Sequence, residues 1–88
     1  MSSKEIKEMF TRNEPLANVV HMASLGNIMP FAKVNLKMDR LTMNYYYEID
    51  IDEISESEMP YEEYEQMEKD GWTYDNSSNK LILYIKAL

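Results

Sequence analysis

From residue 31 onward hydrophobic residues recur at every second position. Val34, Leu36 and Met38 alternate with Lys33, Asn35 and Lys37. Leu41, Met43, Tyr45, Tyr47, Ile49 and Ile51 then alternate with Thr42, Asn44, Tyr46, Glu48, Asp50 and Asp52. A period of two sends alternate side chains to opposite faces of a pleated strand. The pattern therefore predicts two strands, the second running from 41 to 52, each with one apolar and one polar face. Asp39-Arg40 between them reads as a two-residue turn. Such a turn pairs Met38 with Leu41 and Leu36 with Met43, which puts both apolar sets on one side of the sheet.

Before and after this region the period is helical. Ser2 and Glu5 have capping-box spacing, and Ile6, Met9 and Phe10 follow at i, i+3, i+4. Asn13 is placed to cap a second helix with Pro15 in its first turn, a stripe of Leu16, Val19, Val20 and Ala23, and Gly26 as a left-handed stop. Ser55 or Ser57 can cap a third, with Pro60 in its first turn. Tyr61, Tyr64 and Met67 would face the sheet, and Gly71 would end the helix with Trp72 packing back on Met67. Two more strands follow: Trp72 to Tyr74, a polar turn from Asp75 to Asn79, and an all-apolar run from Leu81 to Ile85 suited to a central strand. The order α(α)ββαββ predicts a single α+β domain spanning residues 1–88, with a mainly antiparallel sheet and helices on one face.

Composition narrows the chemistry. The 88 residues suffice for one small core. There is no cysteine and one histidine, which excludes disulfides, thiolate metal sites and cysteine nucleophiles. His21 sits beside Val20 and Met22 with no nucleophile motif near it, and suits a structural role better than a catalytic base. Two glycines cannot build a phosphate-binding glycine loop. A chain this small offers little concavity for a substrate pocket. These points predict a non-enzymatic protein without a cofactor. The polar N-terminus lacks a secretory stretch and no apolar run approaches membrane-spanning length, so a soluble, cytoplasmic protein without a membrane partner is expected.

Charge changes the picture most. Lys and Arg number 9 against 16 Asp and Glu, a net charge of −7. Residues 1–47 hold four acids and six bases, whereas residues 48–75 hold twelve acids and Lys69 alone among bases. On a strand running to residue 52, Glu48, Asp50 and Asp52 would point one way at a spacing of about 6.5–7 Å, twice the strand rise. Glu56, Glu58, Glu62, Glu63, Glu65 and Glu68 would extend the ridge along the next loop and helix, with Tyr46 beside it as an aromatic anchor. Three explanations fit. One is a solvated outer face. The second is a docking surface for a basic protein, including one that otherwise binds nucleic acid; small acidic phage and mobile-element inhibitors that imitate nucleic acid offer an analogy in charge and size. The third is weak divalent-cation binding by Asp50, Asp52 and Glu53, disfavoured by a strand that spreads carboxylates apart and lacks the calcium-loop glycine. Direct nucleic-acid binding is disfavoured by the shortage of cations, despite the Tyr45-Tyr46-Tyr47 run and a small basic group of Lys4, Lys7 and Arg12. The docking surface is the expectation carried forward, with Tyr46, Glu48, Asp50, Asp52, Glu62, Glu63 and Glu65 as contact residues. The alternative is a self-associating assembly subunit that uses its Met- and Tyr-rich apolar face or an unpaired strand edge.

Overall fold

The computed structural model describes residues 1–14 and 22–85, with the side chains of 22–24 left out. Helix α1 spans Ser3–Thr11 and α2 Met22–Ile28; strands β1 (Asn35–Met38) and β2 (Tyr45–Asp50) follow. Helices α3 (Ile51–Glu56) and α4 (Tyr61–Asp70) precede strands β3 (Thr73–Asp75) and β4 (Lys80–Tyr84). The four strands form one antiparallel sheet in the order β1-β2-β4-β3. The α+β class holds, with one helix more than the pattern predicted.

Local chemistry explains the elements. The capping box forms as expected: the Ser2 hydroxyl accepts from the Glu5 amide and the Glu5 carboxylate from the Ser2 amide, both at 3.2 Å. Ile6 and Phe10 are fully buried beneath it. Gly71 ends α4 at φ 100, where only glycine sits without strain. Its amide donates to Glu68 and the Trp72 amide to Met67, closing the last turn and folding Trp72 into the core beside Met67.

The alternation on β1 and β2 defines two different environments. Ile49, Leu81 and Leu83 point inward and share one core with Ile6, Phe10, Leu25, Ile28, Ile51, Ile54, Tyr64, Met67 and Trp72. All four helices therefore contribute to the same inner face. Glu48, Ile82 and their neighbours point the other way. Leu81, Ile82 and Leu83 are all buried, as befits a strand between two others.

Five expectations are corrected. The hairpin does not turn at Asp39-Arg40: Met38 pairs with Tyr45 and Leu36 with Tyr47, leaving residues 39–44 as a loop. The loop is held by Asp39, whose carboxylate accepts from the Leu41 amide at 2.9 Å and whose carbonyl accepts from Met43 at 2.7 Å. The slip is four residues, an even number, so each side chain keeps its predicted face. Second, β2 stops at Asp50, because Asp50 caps α3 by accepting from the Asp52 and Glu53 amides. Third, Gly26 lies inside α2 rather than stopping it, and the helix runs to Ile28. Fourth, Pro60 itself occupies the N-cap of α4, while Ser55 lies within α3 and Ser57 ends it. Fifth, Tyr61 is exposed rather than facing the sheet. Pro15, the stripe residues Leu16, Val19 and Val20, His21 and the side chain of Ala23 lie outside what the structure describes.

Candidate functional site

The outer face of the sheet is built in rows set by the strand register. Lys37, Tyr46 and Tyr84 form one row; Asn35, Glu48, Ile82 and Thr73 the next; Asp50, Lys80 and Asp75 the third. Tyr46 and Tyr84 pack ring against ring at 5.7 Å with planes tilted by 53°. Glu48 is 9% exposed, wedged over Ile82, and meets the Lys37 ammonium at 4.0 Å. Asp50 meets Lys80 at 3.6 Å. Both carboxylates of β2 therefore have a cation of their own beside them.

Titration follows these contacts. Partial burial works against ionisation of Asp50, but the Asp52 and Glu53 amides and the Lys80 ammonium outweigh it and hold the carboxyl below its ordinary value. Asp75 is held low chiefly by the Ser78 hydroxyl, with Ser77 adding to it against a smaller burial penalty. Tyr46 is pushed the other way, first by burial and then by Glu48 and the neighbouring Tyr84, so it stays a neutral phenol.

The continuous ridge expected from the sequence is not present. Asp52 belongs to α3, not β2, so there is no ladder of three strand carboxylates. Tyr46, Glu48 and Asp50 lie on the outer face of the sheet. Helix α4 buries Tyr64 and Met67 in the core on the inner side, so its exposed carboxylates lie across the molecule from that face. Within α4, Glu62 and Glu65 are three residues apart and share the outward face, whereas Glu63 falls on its flank and is half-buried. The seven residues thus divide into a neutralised sheet group and a helical group.

The helical group is larger than the contact residues chosen from it. Between residues 52 and 70 stand nine acids and a single base, Lys69. Asp52, Glu53, Glu56, Glu58, Glu62 and Glu65 are exposed. Ser3 donates to Asp52 at 3.1 Å and the Lys33 amide to Glu53 at 2.8 Å. Among the described residues the ion pairs within 4.0 Å are those of Glu48 and Asp50, so none neutralises this segment. Glu56, the last residue of α3, and Glu58, between α3 and α4, belong to the acidic ridge read from the sequence, though not to the contact residues chosen from it. No group of three or more acidic or histidine side chains among the described residues is placed to hold a metal ion.

Two further surfaces complete the inventory. Lys4, Lys7 and Arg12 do come together, lining a shallow depression along α1 with Glu8 and Thr11, and the Lys7 ammonium sits 5.4 Å from the centre of the Tyr74 ring. At the opposite edge of the sheet, Leu36, Met38, Leu41, Met43 and Tyr45 are exposed hydrophobic residues on one hairpin. No described helix is long and apolar enough to cross a membrane. Comparison with family models, curated proteins and solved structures finds no match to this chain.

Proposed function

We propose that this protein is a non-enzymatic interaction domain that docks on a basic protein surface, of the kind that otherwise holds nucleic acid, and so acts as an inhibitor or adaptor. The contact face is the helical segment from Asp52 to Glu68. One observation carries the reading: six exposed carboxylates in this segment have no cation within 4.0 Å among the described residues, while Glu48 and Asp50 of β2 do. Unpaired like charges cost stability through mutual repulsion. A basic partner would relieve that repulsion, speed encounter and fix orientation. Because Asp52 lies on a helix, no row of strand carboxylates imitates successive phosphates, and charge density alone is the recognition element. Tyr46, Glu48 and Asp50 leave the contact face.

The test is capture from cell lysate at low and high salt, using the wild type, a Glu62→Lys/Glu65→Lys variant and a charge-matched Glu8→Lys/Glu14→Lys control. The reading expects a basic protein retained by wild type and control at low salt, released at high salt, and lost by the α4 variant. Equal retention by both variants, or loss by both, would refute a localised face.

A further inference from the structure

We propose that two copies of this chain associate through the free edge of β1, antiparallel and centred on Leu36, joining their sheets into one. The inference is independent of the acidic face. The sheet has two edges. Helix α1 lies against β3, whereas no described residue pairs with the outer side of β1. Alternate residues of an antiparallel strand aim their backbone groups at one neighbour. The Asp39 amide donates to the Asn44 carbonyl at 2.8 Å, so Lys37 and Asn35 also address β2. Leu36 and Met38 therefore present their amides and carbonyls outward, beside exposed apolar side chains. A free edge bordered by apolar surface is the arrangement that pairs with another strand.

The sequence of the edge selects both the occupant and the register. Directly opposed residues share a face, so any pairing that sets odd against even numbers would put the apolar set opposite the polar one. Centring on Lys37 would oppose two lysines at the closest cross-strand separation, and centring on Asn35 would oppose Lys33 to Lys37. Centring on Met38 runs the strand into the hairpin loop. Centring on Leu36 avoids all of these. On the apolar face Leu36 meets Leu36 of the second copy and Val34 meets its Met38. On the polar face Asn35 meets Lys37, and Lys33 meets Asp39, an opposite-charge pair made twice by symmetry. Lys37 already has Glu48 beside it. Residues 33–45 hold three bases and one acid, so the copies meet away from the acid excess.

The exposed parts of Leu36, Met38, Leu41, Met43 and Tyr45 offer on the order of 500–600 Å² per copy, close to the lower limit of a specific interface. A reversible dimer of modest affinity follows. Lys37 on an edge strand also guards against indiscriminate pairing, and in this register it meets asparagine rather than a like charge.

The experiment uses the absence of cysteine from the chain. Residues facing each other across a hydrogen-bonded antiparallel pair have Cα atoms about 5.5 Å apart, within disulfide reach. Leu36→Cys should therefore close to a covalent dimer under mild oxidation at least tenfold faster than Leu41→Cys, although Leu41, at 95% exposure, is the freer to react by random collision. Sedimentation of the wild type should show mass rising from 10.4 kDa towards twice that with concentration. A constant monomer mass, with Leu36→Cys no faster than Leu41→Cys, would overturn the proposal, including in favour of an edge reserved for another protein. A dimer in which Leu41→Cys closes as fast would overturn the register.

Discussion

Asn13 shows how much one side chain can hold. Its amide donates to the Glu68 carbonyl at 2.8 Å and to the Trp72 carbonyl at 2.7 Å, tying the chain after α1 to the end of α4. Asn13→Ala should lower the unfolding free energy by about 1–2 kcal/mol in urea titration, two hydrogen bonds at the usual net worth. The sequence suggested a helix cap for this residue, and nothing local to it reveals a partner more than fifty positions away. Asp50 is the opposite case. Asp50-x-x-Glu53 has capping spacing, and Ile51 and Ile54 stand three apart, so its role was legible. It was hidden because Ile49 and Ile51 also satisfy a period of two. Asp50→Asn keeps a competent cap and removes the charge. A carboxyl held below its unfolded value contributes stability above that value, about 3.9 for aspartate, and loses the contribution as pH falls through the folded one. The variant should therefore be less stable than wild type at pH 7, by no more than about 1 kcal/mol at a half-exposed site. The gap should close in thermal melts as pH falls below the ordinary aspartate range and the folded carboxyl takes up its proton. A gap that persists in acid would show that the loss is geometric.

Glycine positions separate the two helix ends that the sequence treated alike. Gly71 has the left-handed backbone that a helix stop requires, and Gly71→Ala should cost about 1–2 kcal/mol. Gly26 lies inside α2, and a Cβ added there meets nothing within 4 Å. Gly26→Ala should raise stability by about 0.5–1 kcal/mol. Chemical denaturation of the two variants gives shifts of opposite sign if these assignments hold. A glycine followed by a compact core residue, Trp72, marks a stop; a glycine followed by Asn27 and Ile28 with the helical spacing from Leu25 unbroken does not. The sheet teaches the same lesson. Side-chain alternation gave the correct face for β1 and β2, because parity survives an even slip. It could not give the register, which depends on Asp39 organising a longer loop through backbone contacts that have no periodic signature.

At the scale of the molecule, a charge block continuous in sequence becomes two surfaces in space. The strand at its start turns its carboxylates towards Lys37 and Lys80, while α3 and α4 leave theirs in solvent on the other side of the core. The composition showed the excess, but only the end of β2 at Asp50 decides which acids stand on the sheet and which on the helices. Cationic partners are proposed to meet this chain on its helices. Mapping backbone amide shifts on titration with an oligo-arginine peptide at low salt puts that to the test. The expected result is perturbation concentrated from Asp52 to Glu68 and reversed by added salt, as screening demands. Perturbation centred instead on Tyr46, Glu48 and Asp75, or spread evenly over the chain, would contradict it.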